Sequence, residues 1–250
     1  MKIAISQPTY LPWIGYFDLI DQVDVFVLLD DVQFERRSWQ QRNRIKTPAG
    51  LQWLTVPVIS RGRREQLINE VEIETTGFSR DHCRAVEHNY RRAQFFEKYF
   101  DQLSSQLDCP EGTLLADLNV RLIEWFMKVL GIQTRLVLSS SLRQSGKRTE
   151  LLANLCESQG ADLYVSPLGS SVYLLKEKDA LLARGTDLVF QHYEHPEYKQ
   201  LFPPFRPYAS ALDLVLNQGD PSLEILRSGR RPAFLPDEVA HQAAEKMGAQ

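Results

Sequence analysis

Three stretches of this chain carry residue types at spacings that could do chemistry. The first, Gln7-Pro8-Thr9-Tyr10-Leu11-Pro12-Trp13-Ile14-Gly15-Tyr16, sets two prolines, three aromatics and a glycine between a strand pattern and a helical one. Tyr10, Trp13 and Tyr16 offer ring faces for a base or a sugar, although aromatics of this kind serve equally as core. Gly15, in the first helical turn, costs of order 1 kcal/mol against alanine, a cost that close approach of a ligand or backbone would explain. The second stretch is Asp30-Asp31, directly after the apolar run Val25 to Leu29. Alternation along a strand sends neighbouring side chains to opposite sides, so one of the two faces a crevice as acid or base, unless both cap the turn. The third holds Arg42, Asn43, Arg44 and Lys46, where a guanidinium fork fits a phosphate or carboxylate; a solvated surface run is the other reading.

Two further places merit notice. Ser139-Ser140-Ser141 followed by Gly146-Lys147-Arg148-Thr149 has the strand, loop and helix-start layout that can hold an anion, with Lys147 as its cation. It lacks the GxxxxGK[ST] spacing of a P-loop, and an ordinary loop capped by Thr149 accounts for it as well. His195 is a candidate general base because imidazole titrates near neutrality. His192 and His195 are three apart without an acidic or cysteine partner at ligand spacing, so no metal is expected. Cys83, Cys109 and Cys156 share no CxxC spacing and no GxSxG elbow occurs, so neither a disulfide framework nor a nucleophilic triad is indicated.

The elements that must position these groups alternate. Ile3–Ser6, Val25–Leu29, Thr134–Leu138, Leu163–Ser166 and Leu188–Gln191 read as short buried strands, with helical patterns over Trp13–Asp21 and Thr149–Glu157 between them. Such alternation predicts an α/β, Rossmann-like parallel sheet with helices on both faces and a ligand crevice at the carboxyl ends of the strands. Residues 52–74 read as an inserted β-hairpin around Arg61-Gly62-Arg63-Arg64, and 79–131 as a helical layer of two helices, about 81–107 and 114–130, ended by Gly131. The expected organisation is one domain over 1–228, then a loosely attached extension over 229–250.

With 250 residues, 43% hydrophobic and 24% charged, the chain can bury a sizeable core. Its net charge of -3 lacks the positive excess that phosphate-backbone binding needs, so nucleic acid is not an expected partner. No stretch reaches the roughly 18 apolar residues of a spanning helix, and the start of the chain shows no secretory pattern. A reduced, cytoplasmic setting is expected.

The segments Gln7 to Phe17, Leu28 to Phe34 (with Gln33) and Arg37 to Lys46 closely resemble the WbqC-like family, as do Tyr193-Glu194-His195-Pro196-Glu197-Tyr198, Gln200 and Ser210 to Gly219. The resemblance spans about residues 2 to 227. It implies a bacterial gene setting of O-antigen and related glycan assembly, with modified amino sugars as substrates and no settled reaction. A fainter similarity links Pro8-Thr9, Trp13-Ile14-Gly15-Tyr16 and Gln33-Phe34 to nucleotidyltransferase-like enzymes such as pantothenate synthetase. Where those carry His-x-Gly-His, this chain has Trp13 and Tyr16, which cannot supply cations to a phosphate; their rings suit stacking instead.

The expectation is an enzyme that joins an acyl or aminoacyl group to an amino sugar, nucleotide-linked, in surface-polysaccharide or related glycan biosynthesis. Tyr10, Trp13 and Tyr16 would hold a ring, Arg42 and Lys147 an anion, and Asp30, Asp31 or His195 would move the proton. Gln7, Gly15, Gln33, Asn43 and Tyr198 complete the expected binding set. The other class is a non-catalytic ligand-binding or assembly protein of the same pathway. No cofactor, acyl donor or oligomeric state is legible. Trp13, Tyr16, one of the two aspartates and Arg42 are expected to converge on one cleft.

Overall fold

Apolar, β-branched runs too short for helices form the strands. Lys2–Ser6 (β1) and Val25–Leu28 (β2) flank the helix Ile14–Asp21 (α1) and pair in parallel, Ile3 opposite Val25 and Ser6 opposite Leu28. A computed structural model describes residues 1–63 and 65–248, with 243–248 by backbone alone. Next come the antiparallel pair Arg42–Thr47 (β3) and Gly50–Thr55 (β4) and the helices Phe78–Tyr90 (α2), Phe96–Leu107 (α3) and Leu115–Leu130 (α4). The α/β rhythm then resumes with Arg135–Leu138 (β5), Ser139–Leu142 (α5), Thr149–Ser158 (α6), Leu163–Ser166 (β6), Ser171–Glu177 (α7), Asp179–Leu182 (α8) and Asp187–Phe190 (β7). Ala211–Gln218 (α9), Ser222–Ser228 (α10) and Pro236–Gly248 (α11) end the order.

The five expected strands make one parallel sheet in the order β5-β2-β1-β6-β7. Period-two alternation splits its residues between two cores. Ala4, Phe26, Leu28 and Val165 pack with residues of α1, α4 and α9 on one face, while Ile3, Ile5, Val25 and Val27 pack with α6, α7 and α8 on the other. Helices on both faces are what an all-parallel sheet requires to bury both its surfaces. No helix among the described residues is long and apolar enough to cross a membrane.

Three local expectations differ from what the chain does. The hairpin is β3–β4, which shares only 52–55 with the 52–74 segment; in the rest of it Val58 and Ile73 meet in a single antiparallel bridge, and Arg64 of the expected turn lies outside the described residues. The 79–131 layer is three helices, not two. The break after Tyr90 follows from a tertiary bond, in which the Phe95 amide donates to Leu216 O of α9 at 3.0 Å. The 229–250 extension is not loosely attached along its first part: Phe234 exchanges two backbone hydrogen bonds with Phe190 of β7, and Val239 is buried against the second core.

Candidate functional site

Strand order sets where the site lies. From β1 the chain winds outward through β2 to β5, then returns to the other side for β6 and β7, so winding reverses between β1 and β6. Two adjoining cavities open at the carboxyl ends around that reversal, the place where open α/β sheets hold ligands. One, of about 250 Å³, is lined by Thr9, Trp39, Asn43 and Arg44. The other, of about 360 Å³, is lined by Ser6 at the end of β1, Pro167 and Gly169 after β6, and Gln191 and His192 after β7. Trp13, Tyr16 and Tyr208 line both, with the Trp13 and Tyr208 rings 5.4 Å apart as a dividing wall.

The wall is built from its neighbours. A Cβ on Gly15 would fall 2.2 Å from the Trp13 indole, so glycine is needed here because Trp13's own ring lies over it. Tyr193 meets that indole edge-on at 5.6 Å and His195 stacks on it at 6.1 Å. The Tyr16 hydroxyl donates to Gln7 O at 3.0 Å, and burial holds its pKa well above the usual phenol value. Gln7 is fixed in turn, its Oε1 accepting from Gln40 Nε2 at 2.9 Å.

The cation of the smaller cavity is Arg44, not Arg42. Residues two apart on a strand share a face, so both guanidiniums lean on exposed aromatics of β4 and of the loop before β3: Arg42 sits 4.3 Å over the Trp53 ring, and Arg44 lies 5.4 Å and 5.5 Å from Trp53 and Trp39. The Asn43 side chain, facing the other way, donates to Tyr10 O and Leu11 O at 3.2 and 2.8 Å and holds the strand-one loop against the hairpin.

The remaining expected residues lie elsewhere. Tyr10 is fully buried and its hydroxyl bonds His82 Nδ1 at 2.7 Å; it holds no ring in either cavity. Tyr198 is buried with its hydroxyl donating to Asp213 Oδ2 at 2.9 Å. The Asp30 carboxylate accepts from Ser139 Oγ, Ser140 N and Ser140 Oγ at 3.0, 3.0 and 2.7 Å, and Asp31 accepts from Ser139 Oγ. The pair thus locks the end of β2 to the distant start of α5 rather than capping its own turn, and lines neither cavity. Lys147 and Gln33 are exposed and line neither cavity, Gln33 bridging to Leu67 instead. The expected convergence of Trp13 and Tyr16 with an aspartate and Arg42 therefore does not form; Trp13, Gly15, Tyr16 and Asn43 do come together.

His195 stands behind the wall. Its Nδ1 donates to Pro196 O at 2.9 Å, which leaves Nε2 as the lone-pair nitrogen, buried and without a partner among the described residues. Burial lowers its pKa from 6.5. Trp39, Tyr208, Gln191 and His192 line the cavities but are absent from the expected binding set. The position of Gln191-His192 just after the last sheet strand was the available signal. Among the described residues no cluster of His, Cys, Asp and Glu could hold a metal ion. The three thiols are free, and burial pushes that of Cys156 up to about 12, which leaves it unreactive.

No solved structure matches the chain. An uncharacterized protein of Mycobacterium tuberculosis, Rv1507c, is 42% identical over 231 residues, covering 92% of this chain and 99% of the relative. The model of the WbqC-like protein family matches residues 7–225, which takes in α1 through α9, the start of α10 and every residue lining the two cavities except Ser6; the chain belongs to the WbqC-like protein family.

Proposed function

We propose that this protein is an enzyme of surface-polysaccharide or related glycan biosynthesis that transfers an acyl or aminoacyl group to the amine of a nucleotide-linked amino sugar. The observation that carries this reading is the smaller cavity, where Trp13, Trp39 and Tyr208 offer ring faces beside the single cation Arg44. Aromatic faces suit a pyranose or a base, and a guanidinium fork suits phosphate or carboxylate. In the transfer, the amine gives up a proton and its nitrogen attacks the carbonyl carbon of an activated acyl donor such as a thioester. An N–C bond forms, and the leaving group departs with the electron pair of the bond it breaks. His195 Nε2 is the proton acceptor on this reading, reached when the exposed Tyr208 shifts aside. A cytoplasmic setting follows, since nucleotide sugars are made there.

The covering of His195 by the wall favours a second reading, a non-catalytic binding or assembly protein of the same pathway. Incubating amino-sugar nucleotides with acyl thioesters, and following products by mass spectrometry, separates the two. Transfer is expected from the native chain and is expected to fall by about a hundredfold or more in His195→Gln, in line with the loss of a general base. Tight ligand binding without product would leave the second reading standing.

A further inference from the structure

The two cavities differ in charge. Arg44 gives one side of the wall a fixed cation, whereas no Asp, Glu, Lys or Arg lines the switch-point side among the described residues. Flat apolar surfaces from Trp13, Tyr16, Tyr193 and Pro167 enclose that side. Its oriented polar group is Gln191, whose Nε2 donates to Gly15 O at 2.9 Å and to Asp18 Oδ2 at 2.8 Å. Both partners are acceptors, so the amide cannot turn over, and Oε1 remains as the acceptor that Gln191 offers a ligand. Asp18 is pinned from behind by Arg230 Nε at 2.8 Å, which fixes the whole arrangement. At about 360 Å³ the cavity lies near the lower end of the range for small-molecule sites, room for a ring system and its pentose rather than a whole nucleotide sugar.

We propose that the switch-point cavity takes the nucleoside part of the substrate, with a base N–H donating to Gln191 Oε1, and that the phosphate crosses the rim of the wall to Arg44. This rests on the reading above that the substrate is nucleotide-linked. A neutral, planar ligand with a donor edge fits the uncharged side, and the anionic arm fits the cation on the other.

Gly169 supplies the test. It lines the cavity in an ordinary backbone conformation, and an added Cβ meets no atom within 4 Å, so Gly169→Phe places a bulky ring at the cavity's edge without backbone strain or a clash at Cβ. Uridine, adenosine, UDP and ADP are titrated by calorimetry into the native chain, Gly169→Phe and Arg44→Gln, with circular dichroism to check folding. Gly169→Phe is expected to weaken the nucleosides and the diphosphates alike by about tenfold or more. Arg44→Gln is expected to leave nucleoside affinity within about twofold while weakening the diphosphates by about tenfold or more, because a charge-assisted contact is lost. Nucleoside binding that follows Arg44 and ignores Gly169, or no binding of any of the four at millimolar concentration, overturns the proposal. Binding in the expected pattern with no acyl transfer keeps this assignment and removes the reaction; transfer indifferent to Gly169→Phe does the reverse.

Discussion

Single residues in this protein are constrained by what lies on top of them. Gly15→Ala adds a group that elsewhere in a helix gains up to about 1 kcal/mol. Here the methyl meets the Trp13 ring at 2.2 Å, and overpacking of this kind costs about 1–3 kcal/mol. A net loss of stability in urea, together with a shift in tryptophan emission as the indole moves, is the expected outcome. His82 is a second case. Its Nδ1 faces the Tyr10 hydroxyl and its Nε2 faces Thr55 O at 3.2 Å, and burial lowers its pKa from 6.5 to about 4. Between those values the unfolded chain binds the extra proton, so stability is full above 6.5 and is lost as pH falls toward 4, by roughly 3 kcal/mol. Unfolding curves at pH 7 and pH 4.5 check this, and His82→Gln, which cannot titrate, should lose less over the interval; an equal loss removes the assignment. Such roles were only partly legible in the sequence. Trp13, Gly15 and Tyr16 stood out by composition, but whether Gly15 served a ligand or its own neighbour depended on where one indole lies, which spacing does not encode. Asp30 and Asp31 left acid–base and capping readings open because the partner serines lie 108 to 110 residues away.

At the scale of elements, the strands of the sheet were readable because each is a short run with an apolar centre between turn signals. Of the β3–β4 hairpin, β4 was readable in part, since 52–55 fell within the expected hairpin, but β3 was not. Its buried positions include Asn43, Lys46 and Thr47, and its half-exposed ones include Arg42 and Arg44, so no hydrophobic alternation marks it. Lys46 is 1% exposed, with Nζ donating to Thr47 O at 3.0 Å; burial lowers its pKa, while nearby Asp213 opposes that shift. What holds the hairpin's outer face is stacking. Trp53→Ala removes the surface under Arg42 at 4.3 Å, and an exposed cation–π contact contributes about 0.5–1 kcal/mol. A fall in unfolding free energy within that range is expected, with the circular dichroism spectrum of the sheet unchanged; collapse of the fold in this variant would show that the hairpin depends on more than stacking.

For the molecule as a whole, the last described segment closes the structure onto its beginning. Arg230 pairs with Asp18, which is 0% exposed, and with Asp21, to which Arg227 also donates. Burial pushes the Asp18 pKa up, while the hydrogen bonds from Arg230 and Gln191 oppose that push. Removing one partner of a buried ion pair leaves an uncompensated charge, at a cost of about 3–5 kcal/mol. Arg230→Ala should therefore lower the midpoint of thermal unfolding by several degrees, and a chain ending at Ser228 should do worse, since it also loses the Phe234 pairing with β7. Equal melting of Arg230→Ala and the native chain would sink this account. The expectation of a loosely attached tail failed because its anchoring charges lie on α1, at the far end of the sequence. The same distance has a consequence for biosynthesis. Asp18 emerges from the ribosome 212 residues before the arginine that neutralises it, an interval of roughly 10–40 s at ordinary rates of translation. Through that time the nascent N-terminal unit carries an aspartate meant for the interior with no cation to meet it. The floor beneath Gln191 is completed only once Arg230 has emerged, so a product stalled or terminated before it cannot contain a finished pocket.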